Sequence, residues 1–468
     1  MADDDTTTES QAAQGAQVAQ GTQAVQGAQA TQAAQAAQAV QGAQEAQGTQ
    51  AAQAAQARAL QERLASLSPE QRAVLERSMR ERGVKGPAGV ETGERAAAGR
   101  QPAAPRRTRR DGSVMEFSLF FFSGDGSAAG PGKYDLLMES ARYGDANGFA
   151  GIWVPERHFV DFGGLYPNPS VLAAAIAVQT ERIQIRAGSC VLPLHHPVRV
   201  AEEWAVVDNL SGGRAALSAA SGWHPDDFLL APGDGQARYP RRKEEMFEAL
   251  GTIQRLWAGE SVELPRADGS LQSVRTLPRP LQAELPVWVS AQGSPETFVK
   301  AGEAGAYLLT GLVAQRPADL KDKIAAYREA LVGAGHDPAR AKVTAMVHTF
   351  LDADVDTARE IVRKPLTAYL KTFLAQQDSF GSEYSRLSEA ERDVMLNATF
   401  ERYFDSLALL GTPDTCESLI EDLVDIGVDE VACLVDFGLG NDQVVKGLEH
   451  LTELKNRYRA TPEGEQQS

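Results

Sequence analysis

Residues 153–169 read WVPERHFVDFGGLYPNP, and the fold follows from how this stretch begins and breaks. It opens on the apolar run 152–154, which reads as a strand. Pro155 ends the run. A loop follows that holds Glu156, Arg157, His158 and Asp161 among three ring residues, Phe159, Phe162 and Tyr166. Polar groups crowded just past a strand end are where an α/β barrel keeps its chemistry. An ordinary connection of this kind needs only a few residues. This one is long, rich in Gly and Pro, and mixes charge with aromatic surface, as ligand pockets do. A structural loop pinned by its own ion pair is the other reading of the same residues.

Outward from this stretch, strands and helices alternate. Strands are predicted at 115–122, 151–154, 183–192, 215–220, 286–291, 306–309, 342–350 and 430–436. Helices are predicted at 134–147, 169–180, 198–210, 242–257, 295–304, 317–333 and 414–425, the last capped by Thr412 and stopped by Gly427. This alternation predicts one α/β domain over 114–460, a parallel (β/α)8 TIM barrel. A doubly wound sheet would carry a Gly-rich fingerprint after its first strand. The glycines of 124–132 lack that spacing. The stretch 355–410 reads as a helical insertion.

The N-terminal part has a different texture. Residues 11–57 repeat Ala, Gln and Gly, mostly as AAQ and GAQ triplets, and 1–57 are expected to be disordered because little apolar surface offsets the chain entropy. Over 58–84, Leu60, Leu64 and Leu67 recur at helical spacing. Ser68-Pro69-Glu70-Gln71 then opens a second helix as a capping box. A short helical hairpin is expected there, followed by a linker at 85–113; a disordered tail is expected at 461–468.

Composition narrows the function classes. The chain has 468 residues, is 43% hydrophobic and 23% charged, and carries a net charge of -17. Such acidity argues against nucleic acid and against an anionic membrane surface as partners. Cys190, Cys416 and Cys433 are scattered through apolar runs and read as reduced, buried thiols. The acidic start, MADDDTTTES, is not a signal peptide, and no apolar run approaches membrane-spanning length. A cytoplasmic location is expected.

In a barrel, all strand ends converge on one mouth. The first strand ends in Ser123 and Gly124, the second in the Glu156–Tyr166 loop, the third in Gly188-Ser189-Cys190 and then His195-His196-Pro197. The fourth ends in Ser221-Gly222-Trp223-His224, with Asp226 and Asp227 beyond. The fifth ends in Gln292-Gly293-Ser294-Pro295-Glu296-Thr297. That last segment starts a helix with Ser at the cap and Pro at the first position. It suits a phosphate at the helix N-terminus, or plain capping. His158, His195, His196 and His224, with Glu156 or Asp226, raise the question of a metal. No HxH or HExxH spacing is present, and the adjacent His195 and His196 point opposite ways on an extended chain. No metal site is expected. No GxSxG elbow for a serine nucleophile is present either.

The segments WVPERHF, FGGLYPNPSVLAAAIA, TERIQIRAGSCVLPLHHPVRVAEEWAVVDNLSGGR and SGWHPDDF resemble the bacterial luciferase-like flavin-dependent monooxygenases. The resemblance is closest to the branch associated with nonribosomal peptide and polyketide biosynthesis. It implies a barrel that binds FMN at the C-terminal strand ends and uses reduced FMN (FMNH2) with O2 to oxygenate an organic substrate. Carried over by motif, Ser189 would lie under the flavin ring, with a non-proline cis peptide at Gly188–Ser189. Ser221 and Gly222 would approach the phosphate and ribityl chain. Arg242, Gly293, Ser294 and Thr297 would hold the phosphate. Trp223 and His224 would edge the substrate side.

Two departures stand out. Luciferases carry Glu-His-His where this chain has Glu156-Arg157-His158, so Arg157 occupies the position of the catalytic base. Arginine stays protonated and cannot serve as one. His158 and His224 remain available. Arg157 is left to stabilise an anion, either peroxide or a substrate carboxylate, or to form an ion pair with Glu156 or Asp161. The reactive luciferase thiol is replaced by Ala220. The catalytic candidates are therefore Glu156, Arg157, His158 and His224. A flavin reductase is the expected partner, and a homodimer is compatible with the family. The hairpin LSPEQRAVLERSMRERG is similar to linker helices of peptide synthetases and implies a carrier-protein-tethered substrate. A deazaflavin-dependent dehydrogenase of the same fold and a non-catalytic assembly-line scaffold are the alternatives.

Overall fold

The structure is a computed structural model and describes residues 115–122, 130–313, 315–378 and 388–458. The calls on 1–57, 58–84, 85–113, Ser123, Gly124 and 461–468 fall outside these residues. Eight strands lie in chain order around a closed ring: β1 Glu116–Phe120, β2 Gly151–Val154, β3 Gln184–Ala187, β4 Ala215–Ala220, β5 Val287–Ser290, β6 Tyr307–Gly311, β7 Val343–Leu351 and β8 Glu430–Leu434. Every neighbouring pair is parallel, and β8 returns to β1 with Glu116 opposite Glu430. The expected (β/α)8 barrel is the observed fold. All residues of β2 and β8 are buried, as a parallel sheet covered on both faces requires.

Local chemistry starts and stops the helices where the sequence suggests. Asn168 Oδ1 accepts the backbone N–H groups of Ser170 and Val171, with Pro169 at the first position of helix Pro169–Ala177. Gly212 and Gly259 adopt positive φ at the ends of helices Pro197–Ser211 and Arg242–Ala258, a conformation other residues resist.

The barrel interior has a polar floor. Trp153 Nε1 donates to Ser118 Oγ at 2.8 Å, and Ser118 donates to Glu430. Arg186 pairs with Glu430 and lies 4.6 and 4.7 Å from the rings of Trp153 and Trp288. Lys342 Nζ lies 2.7 Å from the other Glu430 oxygen. Burial opposes ionisation of Glu430, yet Arg186 and Lys342 hold its pKa down to about 2. Trp288 Nε1 donates to Thr344 Oγ1 at 3.0 Å. Six strands are thus stitched together beneath the mouth.

Three departures from the expected elements bear on the mouth. The strand expected at 183–192 is interrupted by a cis peptide at Gly188–Ser189; Cys190–Val191 then pairs with β4, Cys190 opposite Ala219. The stretch 355–410 is helical as expected, with helices Val355–Asp378 and Glu389–Ser406, but it ends in a strand, Leu409–Gly411, paired with the upper part of β7. A small antiparallel hairpin, Val262–Pro265 with Leu271–Val274, and a closing helix, Asn441–Arg457, were not foreseen. The three cysteines are free and buried, as expected. Among the described residues no helix is long and apolar enough to cross a membrane.

Candidate active site

The loop after β2 sends consecutive side chains in opposite directions. Glu156 is buried; its Oε1 lies 3.0 Å from His158 Nε2 and 2.6 Å from His195 Nε2, and its Oε2 accepts the Val191 N–H at 2.7 Å. Burial works against its charge, but these hydrogen bonds outweigh it and keep the carboxyl below its ordinary pKa. An ionised Glu156 accepts only, so both imidazoles present Nε2–H to it. His158 is left with Nδ1 as its basic atom. His195 feels opposing influences: burial disfavours its charge, while Cys190 and Glu156 carry its pKa upward. His196 does point the other way, exposed, and its side chain caps helix Pro197–Ser211.

Arg157 turns to the opposite side. Neither Glu156 nor Asp161, the partners considered from sequence, pairs with it. Its Nη1 donates to Asp227, in the loop after β4, and both side chains are buried. The guanidinium carbon lies 5.1 Å from the Trp223 ring. Burial lifts the pKa of Asp227 against the pull of Arg157, His158 and His224. Nε and Nη2 of Arg157 are buried without a hydrogen-bond partner among the described residues. Such groups are normally satisfied, so these two donors are available for a ligand acceptor. His224 packs edge-on against Trp223 and accepts the Asp226 N–H at 3.3 Å, capping the 3-10 turn Pro225–Leu230.

The residues assigned to a cofactor occupy neighbouring strand ends. Ser189 follows the cis peptide and donates to Ser218 Oγ at 2.9 Å; Ser218 is the register partner of Trp288 in the floor. A Cβ at Gly188 would strike Trp153 and Phe120, so only glycine fits there. Ser221 and Gly222 follow β4 directly, Gly222 at φ +80. Arg242 donates to the carbonyls of Gly222 and Tyr239 and stacks on the Tyr239 ring at 4.1 Å. Past the end of the adjacent strand β5, Gly293 has open space where a Cβ would stand. Ser294 heads helix Pro295–Glu303 but its side chain makes no capping hydrogen bond, and Thr297 is buried one turn in. Plain capping is therefore not what Ser294 does, and the helix N-terminus stays available to an anion.

The fold also gathers groups that sequence reasoning passed over. Asp436, two residues past β8, accepts the Phe122 N–H at 2.6 Å and the Tyr166 hydroxyl at 2.8 Å. Burial pushes its pKa up to about 7. A cavity of about 280 Å³ opens beside it, lined by Lys133, Leu136, Leu165 and Tyr166 among others. Strand-end position was the available signal for Asp436. Glu156, Cys190 and His195 each place a potential metal-ligand atom within 4.8 Å of the others. The proximity of Cys190 to this cluster could not be read from spacing. Burial pushes the Cys190 thiol up to about 11.

The family model described as luciferase-like monooxygenase matches residues 115–430. The chain belongs to this family. Among curated relatives, it is 32% identical over 228 residues to 4-hydroxyprotoasukamycin monooxygenase of Streptomyces nodosus subsp. asukaensis, covering 48% of this chain and 59% of that protein. It is 31% identical over 182 residues to the oxygenase component of the flavin-dependent trigonelline monooxygenase of Acinetobacter baylyi, covering 38% and 49%. The chain thus spans about half the length of these two relatives. Two solved structures share the fold. One is the oxygenating constituent of 3,6-diketocamphane monooxygenase of Pseudomonas putida, in complex with FMN, with a TM-score of 0.60, 19% identity and coverage of 74% and 98%. The other is a secondary alcohol dehydrogenase dependent on coenzyme F420, with a TM-score of 0.55, 19% identity and coverage of 74% and 99%.

Proposed function

We propose that this luciferase-like protein is a monooxygenase that uses reduced FMN and O2 to oxygenate an organic intermediate of secondary metabolism. The observation that carries the reading is the uncapped start of helix Pro295–Glu303. Ser294 spends no side-chain bond on its own helix, Gly293 leaves open space beside it, and Arg242 follows the adjacent strand. These groups fit a phosphate, the one charged end that FMN presents. Gly293, Ser294, Thr297 and Arg242 would hold that phosphate. Ser221 and Gly222 would line the ribityl chain, and Ser189 would lie against the ring.

When bound, reduced FMN supplies the two electrons with which O2 yields one oxygen atom to substrate and one to water. The chain's own residues supply the rest. Glu156 fixes the His158 ring so that Nδ1 can take a proton at the mouth. Arg157 aims two unpaired donors at an acceptor and stabilises negative charge there. His224 and Trp223 border the same side. The relative named as an oxygenase component supports a separate reductase as the source of reduced flavin. The relative named for 4-hydroxyprotoasukamycin supports a secondary-metabolite substrate. A carrier-protein-tethered substrate is part of the same proposal, and its support is the linker-like segment at 58–84.

The test is an anaerobic fluorescence titration of the full chain with FMN, reduced FMN and a reduced deazaflavin. Tight binding of reduced FMN, with O2 consumption on readmitting air, is expected. Binding of the deazaflavin alone would replace the reading with a dehydrogenase. Binding of none would leave a scaffold.

A further inference from the structure

One buried group on β7 is unused by this reading. Thr344 on β7 faces the barrel interior, where it meets Trp288. Side chains alternate along a strand, so His348 lies on the same interior face. Its register partner is Leu434, the last residue of β8, which sets the imidazole at the level of the mouth. His348 is fully buried. Its Nδ1 lies 3.0 Å from the Tyr403 hydroxyl, and its Nε2 has no hydrogen-bond partner among the described residues.

Rings surround it. Tyr369, Tyr403 and Phe437 approach with centroids at 4.6, 5.3 and 5.5 Å, each edge-on to the imidazole at 65–78°. Phe162 packs on Tyr369 at 4.8 Å. Tyr369 and Tyr403 belong to helices Val355–Asp378 and Glu389–Ser406, whereas Phe162 comes from the loop after β2. The insertion therefore furnishes part of the mouth wall.

A group serving only to fill this cage would be apolar, because buried nitrogen atoms are ordinarily paired. Burial pushes the His348 pKa down to about 3, so the ring is neutral at physiological pH. If the Tyr403 hydroxyl donates to Nδ1, Nε2 carries a hydrogen and seeks an acceptor. In the other tautomer Nε2 seeks a donor. A hydroxyl satisfies either state, and a carbonyl satisfies the first. Among the described residues no charged group bears on the His348 ring, so a carboxylate would gain no ion pair at this nitrogen.

We propose that His348 is a substrate-recognition residue whose Nε2 takes a neutral hydroxyl or carbonyl on a ring-bearing, largely apolar substrate, within a cage that the insertion builds from Tyr369 and Tyr403. The inference rests on the reading of the mouth as a substrate site, but its test does not require flavin.

The experiment uses the purified full chain without flavin. Naphthalene, 2-naphthol and 2-naphthoate are titrated calorimetrically, with nitrogen-15 histidine NMR on the same samples. In the wild type, 2-naphthol is expected to bind about tenfold tighter than either of the others, as one good hydrogen bond provides, and to shift the Nε2 resonance of His348. His348→Phe should reduce that preference to about twofold or less, and Tyr403→Phe should lose part of it by releasing the ring. Equal binding of the three probes by the wild type would overturn the proposal. So would a preference that survives in His348→Phe. If His348→Phe does not fold, an Nε2 resonance in wild type that ignores 2-naphthol overturns it equally. An FMN titration of the same proteins keeps the two readings apart: a wild type that prefers 2-naphthol but ignores FMN sinks the flavin reading alone.

Discussion

Arg157 and Asp227 form an ion pair buried at both ends, and it ties the loop after β2 to the loop after β4. The chemistry-bearing loop is thus clamped from both sides. Glu156 fastens it toward Val191 and His195, and Arg157 fastens it toward the segment that follows Trp223. Removing one partner of such a pair leaves an uncompensated buried charge, which costs about 3–5 kcal/mol. Asp227→Leu is expected to destabilise by that amount in urea unfolding. Adding Arg157→Met to it should recover a large part of the loss. If the double variant lost the full sum of the single effects, the two side chains would not be coupled.

Arg242→Ala should raise the FMN dissociation constant about tenfold or more, the scale of a lost charge-assisted hydrogen bond. Ser294→Ala should weaken binding about threefold, since a neutral hydroxyl contributes roughly half as much. Arg242 also holds the Gly222 carbonyl, so Arg242→Lys serves as the control that keeps a cation while losing the planar fork. Fluorescence titration reads all three. Unchanged affinity in both alanine variants would remove the phosphate from this end of the mouth.

The barrel was legible because its strands are short apolar runs between helices with their own start and stop signals. Asn168-Pro169, Thr412-Pro413 and Gly427 mark such boundaries in the sequence and keep those roles in the fold. The end of β3 was legible by resemblance, and the cis peptide stands at Gly188–Ser189. What failed were partnerships over long sequence separations. Arg157 has Glu156 and Asp161 beside it in its own loop, but the carboxylate it pairs with lies 70 residues away. Asp436 meets Phe122 across 314 residues, and Tyr403 meets His348 across 55. Local periodicity carries no information about which loop closes over which. The hairpin at Val262–Val274 was missed for a different reason: its strands are four residues each and only half covered, too short for an alternation to stand out.

His158→Ala should lower turnover about a hundredfold or more, the scale of a positioned acid–base group, while leaving FMN affinity within about twofold. Glu156→Gln should lower turnover as well, because a neutral amide no longer fixes Nε2–H on His158 or holds the ring by charge. Steady-state kinetics with the flavin titration separates these effects. A normal rate in His158→Ala would return that residue to loop structure and shift the base to His224.

Asp436 should make stability depend on pH in the direction opposite to an ordinary ion-paired carboxylate. Its pKa rises from 3.8 to about 7 on folding because burial penalises the charged form. The folded protein therefore binds the proton more tightly than the unfolded chain. This stabilisation is complete below the unfolded pKa and is lost as pH climbs through the folded one, at about 1.4 kcal/mol per pH unit in between. Asp436→Asn keeps a neutral polar group facing Phe122 N–H and the Tyr166 hydroxyl and cannot ionise. Urea unfolding of both proteins at pH 5 and pH 8 should show wild type losing ground to the variant as pH rises. Since the Arg157 backbone N–H donates to the Tyr166 carbonyl at 3.0 Å, the loop that carries the catalytic candidates should loosen over the same range. Parallel pH slopes in the two proteins would show that Asp436 does not titrate in this window.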